Sequence, residues 1–322
     1  MRLLIVIVNY RTAQLTIDCL RSLAPEFPAL PAGTRVVITD NASGDDSVPR
    51  LGAAIRENNW SPWADLMPLE RNGGFAWGNN EGIRPALRHP DPPQYVLLLN
   101  PDTWVRPGAV AALLEFMDAH PDVGIAGSRL EDPDGTTQRS AFRFPGVMSE
   151  FENGVRLSVV SRLLKRFVVA PPPPQGSCPV DWVAGASMMI RRAVFETVGL
   201  LDEKYFMYYE EVDFCLRARR AGWPCWYVPA SRVVHLVGKS SGVTDLSRPV
   251  KRRPAYWFES RRRYFLLHLG RIRTLLADTL WVAGHSLYKA TEFARKVPAN
   301  DPQRFLGDFV RYNFFPPRGH RS

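Results

Sequence analysis

The sequence predicts an α/β protein built on a mostly parallel, doubly wound sheet flanked by helices and followed by a helical C-terminal tail. Three observations lead there. Short β-branched or leucine-rich runs alternate with amphipathic stretches through the first 120 residues, the rhythm of a parallel sheet covered on both faces. Those runs end in polar turns, and ligands of such sheets bind beyond the carboxyl ends of the strands. A chain of 322 residues that is 45% hydrophobic can fill a large core, which excludes disorder as the default state.

The elements follow in order. Leu3 to Val8 is an apolar run ending at Asn9 and Tyr10; it lacks a small-residue cleavage site and reads as a first strand, not a signal peptide. A helix near Thr12 to Leu23 precedes a second strand, Val36 to Asp40, and a helix near Ser47 to Arg56. Then come a short strand near Leu66, a helix from about Phe75 to Arg88, a strand from Tyr95 to Asn100 and a helix from Pro107 to His120. From Ala141 to Pro179 the rhythm fails, and the prolines at 171–174 make a stiff, extended connector, so this stretch is expected as an insertion. Order returns with VDWVAGASMMIRRAVFETVG, a strand into a helix, then a loop, a helix from about Glu210 to Ala221 and a strand near Trp226. The tail is helical from Pro254, which divides the chain into 1–245 and 246–322.

Composition narrows the function classes. Cys19, Cys178, Cys215 and Cys225 show neither disulfide nor zinc-ligand spacing, which fits a reducing compartment. No window approaches the roughly 18 to 20 apolar residues that a spanning helix needs, so a membrane is met only from its surface. The net charge of +9 is concentrated in Val250 to Arg273, where Lys and Arg alternate with Tyr256, Trp257, Phe258, Tyr264 and Phe265. That mixture suits an anionic membrane surface. No nucleic-acid-binding signature accompanies it, so no nucleic-acid partner is expected.

The polar strand ends supply the chemistry: Asn9 after the first strand, Asp40 and Asn41 after the second, and Asn100 with Asp102 after the fourth. Each residue alone is equally a turn or helix cap. Asp102, however, stands five residues before the helix expected at Pro107, too far to cap it. Glu210, Glu211 and Asp213 open a helix, where acids complement the dipole. Their aromatic surroundings in YFMYYEEVDF would instead raise a carboxyl pKa into the range of a general base. His235 ends an apolar run and could share a cation with a carboxylate. In RNGGFAWGNNEG, Arg71 to Gly82, glycines before a helix start favour close approach of an anionic ligand, although no GxxxxGK[ST] or GxGxxG motif is present.

Six stretches in this order, IVIVNYRT, VVITDNASGD, RNGGFAWGNNEG, LLLNPDTWVRPG, VAGASMMIRRAVFETVGLLDEKYFMYYEEVDFCLRARRAG and VVHLVGKSSG, resemble the family 2 glycosyltransferases of the GT-A fold, most closely their rhamnosyltransferase-like branch. The resemblance spans about residues 3 to 242. It implies that Asp40 contacts the nucleobase and that Arg71, Gly74 and Asn80 surround the nucleotide, with Asn9, Asn41 and Asn100 beside them. Asp102 becomes the metal carboxylate of a DxD-like motif, His235 a second metal or diphosphate contact, and the segment from Gly185 shapes the sugar site. The family's usual base is an Asp at position 211; here it is Glu, one methylene longer, with Asp213 and Glu210 as alternatives.

The resemblance further implies an inverting sugar transfer helped by Mg2+ or Mn2+. The donor is a dTDP- or UDP-sugar, with dTDP-L-rhamnose favoured. The acceptor is a glycan or a polyprenyl-diphosphate-linked glycan of a bacterial surface polysaccharide, reached from the cytoplasmic face of the plasma membrane. A UDP-hexose-dependent transferase and a non-catalytic nucleotide-sugar-binding protein are the competing expectations. The sequence leaves the oligomeric state open.

Overall fold

The computed structural model describes residues 1–236, 252–295 and 301–316. The chain forms two compact units, one comprising Met1–Phe142, Pro172–Phe206 and Glu210–Gly242, the other Arg143–Pro171, Met207–Tyr209 and Val243–Ser322.

In the first unit the chain runs β1 (Leu3–Asn9), α1 (Ala13–Leu23), β2 (Arg35–Asp40), α2 (Ser47–Glu57), β3 (Ala64–Pro68), α3 (Gly74–Leu87), β4 (Tyr95–Leu99), β5 (Thr103–Val105), α4 (Ala109–Ala119), β6 (Ile125–Glu131) and β7 (Ala141–Phe142). After the second unit's α5 (Val147–Val155) and α6 (Ser158–Leu163) it resumes with β8 (Cys178–Val180), β9 (Trp182–Val183), β10 (Ser187–Arg191), α7 (Arg192–Val198), α8 (Glu210–Arg220) and β11 (Cys225–His235). The main sheet has nine strands in the order β3-β2-β1-β4-β10-β6-β11-β5, with β8 also pairing β11. β7 and β9 form a separate pair.

β1 shows why the parallel half forms. All seven residues of LLIVIVN are buried, the pattern of a strand covered on both faces. It pairs in parallel with β2 on one side, placing Asn9 opposite Asp40, and with β4 on the other. The strand order therefore reverses at β1, which opens a crevice beyond its carboxyl end. The later half is mixed: β10 runs antiparallel between β4 and β6, and β5 antiparallel to β11.

Two features differ from the sequence expectation. β6, IAGSRLE, is an almost wholly buried central strand that the hydrophobic pattern does not announce. Gly127 stands there because a Cβ would come within 2.4 Å of Val183 Cβ. Ser128 hydrogen-bonds Ser187 of β10 and Ser231 of β11, both at 2.7 Å, so hydroxyls tie the three strands together. The second feature is the expected insertion at 141–179. Residues 143–171 do not form a separate excursion but pack with the tail, so the structure divides the chain differently from 1–245 and 246–322. Position 245 itself lies outside the described residues.

In the second unit α5 and α6 join α9 (Ala255–Arg295), which is interrupted by non-helical backbone at Gly270, and α10 (Phe305–Phe314). Gly154 of α5 faces the backbone of Trp281, and Gly284 of α9 faces that of Phe151; a Cβ at either would stand 3.0 Å or less from those carbonyl oxygens. Phe258, Trp281, Phe305 and Phe309 make the apolar core, with Trp281 stacked on Phe309 at 3.8 Å. Phe258, Tyr264 and Phe265 are buried, which corrects their expected place at a membrane interface: Phe258 belongs to this core and Phe265 covers the Arg261 guanidinium. No helix among the described residues is long and apolar enough to cross a membrane.

Arg261 is enclosed at the centre of the unit, donating to Glu150 at 2.6 Å and to Asp278 at 2.7 Å, with Asn313 at 3.0 Å. The rings of Phe265 and Phe309 lie over its guanidinium at 4.4 and 4.6 Å. Truncating one member of such a network leaves the other charges buried and unpaired. Arg261→Ala should therefore lower unfolding stability by about 3–5 kcal/mol, measured from denaturant midpoints.

Candidate active site

The crevice is lined from the strand ends upward. Asn9 donates from Nδ2 to Asp40 Oδ1 at 2.6 Å, and its Oδ1 receives Thr12 Oγ1 and Thr16 Oγ1 at 3.0 and 2.9 Å. Ser43 completes the knot, donating from Oγ to Asp40 Oδ1 at 2.6 Å and from its amide to Asp40 Oδ2 at 3.0 Å. Asp40 is thus buried and held in one orientation, with accepting capacity left on Oδ2. Ser43, which sequence reasoning passed over inside VVITDNASGD, is what fixes it.

The glycine-rich segment serves the protein's own packing. Gly74 has φ +88°, and a Cβ there would lie 2.0 Å from Phe206 O. Its amide is taken by Asn72 Oδ1 at 3.0 Å and that of Phe75 by Phe206 O at 2.8 Å, so these first amides of α3 already have partners. Gly78 and Gly82 let α3 settle on the sheet, since a Cβ at Gly78 would reach Asn41 and Val8 at 2.8 Å. Asn41 lies beneath this helix and donates to Gly74 O at 2.9 Å. Asn80 ties the helix to the loop before α8, exchanging hydrogen bonds with the Leu201 backbone and donating to Glu203. Arg71 is exposed, its guanidinium 5.0 Å from the Trp77 ring.

The stretch after β4 is not a helix cap. α4 starts at Ala109, and the amides of Gly108 and Val110 are received by the carboxylate of Glu26 at 2.7 and 3.3 Å. Asp102, buried between β4 and β5, instead faces His235 at the end of β11, Oδ1 to Nε2 3.6 Å. The register that pairs Thr103 with His235 brings them together. That separation exceeds a hydrogen bond and suits two donors sharing one cation, which lie on the order of 3 Å apart at metal bonds of about 2.1 Å. No group of three or more His, Cys, Asp or Glu among the described residues gathers around a metal position, so Asp102 and His235 would need ligand oxygens to complete a shell. The remainder of the last motif, Val237 to Gly242, lies outside the described residues.

Across the crevice, Asn100 N bonds Ala186 O at 3.0 Å, which places the 184–186 turn beside the end of β4. Gly185 in that turn faces Glu211 of α8: a Cβ there would stand 3.8 Å from Glu211 Cβ and 3.4 Å from the Phe75 ring. The three acids of α8 then separate by environment. Asp213 accepts Arg217 Nε at 2.7 Å, and Arg217 also donates to the carbonyls of Val198 and Leu200, so this carboxylate is a structural clamp. The Asp-to-Arg spacing of four on one helix face was readable in the sequence. Glu210 and Glu211 have no such partner: the Oε2 atom of each is buried without a hydrogen bond among the described residues, as is Asn100 Oδ1.

Burial wins over the helix start at both glutamates. It pushes Glu211 up to about 7 against the lowering effect of the first-turn amides. It raises Glu210 well above the ordinary carboxyl range, reinforced by the neighbouring Glu211 charge. Just before them Tyr208 and Tyr209 hold φ of 71° and 69°, left-handed backbone that costs of order 1–3 kcal/mol at each non-glycine residue. Buried acceptors left without donors set Glu210 and Glu211 apart from Asp213.

Known proteins resemble this chain in sequence and in fold. The family model described as "Glycosyl transferase family 2" matches residues 4–172, and that of "Glycosyl transferase family group 2" matches residues 95–294. The chain is 32% identical over 232 residues to the N-acetylglucosaminyl-diphospho-decaprenol L-rhamnosyltransferase of Mycobacterium tuberculosis, covering 69% of this chain and 71% of that protein. It is 29% identical to the low-salt glycan biosynthesis hexosyltransferase Agl10 of Haloferax volcanii, covering 67% and 61%. Among solved structures, the mannosyltransferase PcManGT from Pyrobaculum calidifontis, in complex with GDP-Man and Mn2+, superposes with TM-score 0.60 at 14% identity, over 98% of this chain and 87% of that one. The GT-A type of α/β fold expected from the sequence is therefore the fold observed.

A carboxyl whose folded pKa lies above its unfolded value of about 4.5 favours the folded state while protonated, and that contribution is lost as pH rises through about 7. Glu211→Gln should thus leave the melting temperature little changed near pH 4.5. At pH 8 it should raise stability by on the order of 2 kcal/mol, read by thermal melts across pH.

Proposed function

The chain belongs to glycosyl transferase family 2, and from that premise we propose that it moves L-rhamnose from dTDP-L-rhamnose, with inversion, to a hydroxyl of a glycan or of a polyprenyl-diphosphate-linked glycan. The observation that carries this reading is Glu211: a carboxyl with a buried, unpartnered oxygen, raised to about 7 and set against Gly185 at the mouth of the crevice. A general base works best with a pKa near the working pH, and a protein that only bound sugars would gain nothing from leaving this group unsatisfied.

The roles divide by geometry. Asp40, immobilised by Asn9 and Ser43, offers Oδ2 to the imide N–H of thymine or uracil. Asn100 Oδ1 is poised to accept a ribose hydroxyl, and exposed Arg71 to meet the phosphates. Asp102 and His235 would hold a Mg2+ or Mn2+ ion, which neutralises the departing nucleoside diphosphate. Gly185 leaves space for sugar and acceptor beside Glu211, which takes the acceptor hydroxyl's proton as the oxygen attacks the anomeric carbon. Glu211 is ranked above Asp213 because the latter is engaged by Arg217. Support for rhamnose comes from the mycobacterial relative, whose name also carries a lipid-diphosphate acceptor. An enzyme on such an acceptor would work at the inner face of the plasma membrane.

Glu211→Gln should reduce transfer by about 10²–10⁴-fold while leaving donor binding intact, and the wild-type rate should climb with pH through a limb near 7. Asp102→Ala should abolish metal-dependent turnover; near-normal rates in both variants would overturn the assignment. In a panel of nucleotide-sugars, dTDP-L-rhamnose should give the largest melting shift, whereas a larger shift with a UDP-hexose would reassign the donor.

A further inference from the structure

The second half of α9 carries an apolar face that the described residues leave exposed. After the break at Gly270, Ile272, Leu275, Leu276 and Leu287 are 85%, 57%, 50% and 50% exposed. Their spacing keeps them to one side of the helix, while Thr274, Ala277, Asp278, Trp281 and His285 on the other side are buried in the unit's own core. The helix therefore has two apolar faces, of which folding uses one. Isolated exposed leucines are ordinary, but a helical stripe of large aliphatic side chains marks an interaction surface.

Charge identifies the occupant. From Arg262 to Ala277 the chain holds four arginines and no acid. Arg271 and Arg273, at the start of the stripe, are exposed and have no ion-pair partner among the described residues. The next acid, Asp278, is buried against Arg261. We propose that this face docks on an anionic lipid bilayer, Ile272 and the leucines entering the interface and Arg271 and Arg273 resting at the level of the phosphates. A second copy of the chain seated there about a two-fold axis would bring like charges together with no acid between them. A nucleic acid would engage the arginines and leave the aliphatic side chains in water.

The surface differs from the one expected at Tyr256 to Phe265, where Phe258, Tyr264 and Phe265 are buried. It deepens the reading of a lipid-linked acceptor, on which its biological sense rests, yet vesicle binding is measured without turnover, so either reading can fail alone. The full chain is sedimented with vesicles of phosphatidylcholine alone or with about one third phosphatidylglycerol, at low and high salt. It should bind the anionic vesicles, more weakly as salt rises, and the neutral ones poorly. Arg271→Glu with Arg273→Glu, and separately Ile272→Asp with Leu276→Asp, should each weaken that binding at least about tenfold, with the melting temperature and the nucleotide-sugar melting shift unchanged. Absence of wild-type binding, equal binding by both variants, or a dimer that Ile272→Asp with Leu276→Asp dissociates would overturn the proposal.

Discussion

A carboxylate taken out of water must be given donors or surrender its charge, and this requirement orders the unit that carries the site. Asp40 is satisfied by Asn9 and Ser43, Glu26 by the first amides of α4, Asp213 by Arg217, and Glu131 by Arg106 and Arg232. Each of these pairings pins a strand end or loop to its neighbour. Glu210 and Glu211 stand outside the pattern, which makes them the chemically available acids of the crevice. Their environment is produced by the same packing that satisfies the others, since α8 is held in place by the Asp213 to Arg217 clamp one turn further on.

The parallel half of the fold and the positions of its strand ends were legible in the sequence because β1, β2 and β4 are continuous apolar runs that stop at polar turns. The candidate site was legible in outline: Asp102 and His235 do meet, and Gly185 does lie beside Glu211. The spacing of Asp213 and Arg217 signals their pairing, whereas the burial that leaves Oε2 of Glu210 and of Glu211 without donors among the described residues was not legible, because it depends on how distant segments fold over them. The packing role of the glycine-rich segment was not legible for a related reason. Glycine permits close approach without saying of what, and here Phe206, Trp77 and the sheet itself come close. The aromatic tail misled similarly, since a basic aromatic stretch can line an interface or fill a core, and the second unit is too small to leave Phe258 or Phe265 outside.

The Glu at position 211 also has a physical rationale in its neighbour. Burial raises Glu210 well above the ordinary carboxyl range and the adjacent Glu211 charge raises it further, so the base proposed at Glu211 has a neighbour that favours its own protonated form. A longer side chain reaches further from the helix, past the turn that Gly185 keeps free of side-chain bulk. The left-handed pair Tyr208 and Tyr209 sets the direction from which the helix begins.

The hydroxyl ladder of Ser128, Ser187 and Ser231 bears on the life of the chain before the sheet exists. β6 is central, yet its partners β10 and β11 follow it by more than 50 residues, so during synthesis it waits with both edges open. A valine-rich strand in that position would be adhesive to other nascent chains. IAGSRLE, with a glycine, a serine and two charged residues in seven positions, is a poor template for such pairing. Its cohesion is conditional: hydroxyls that would bind water in the open chain bind one another once the later strands arrive, so the middle of the sheet becomes sticky only in the company it was built for.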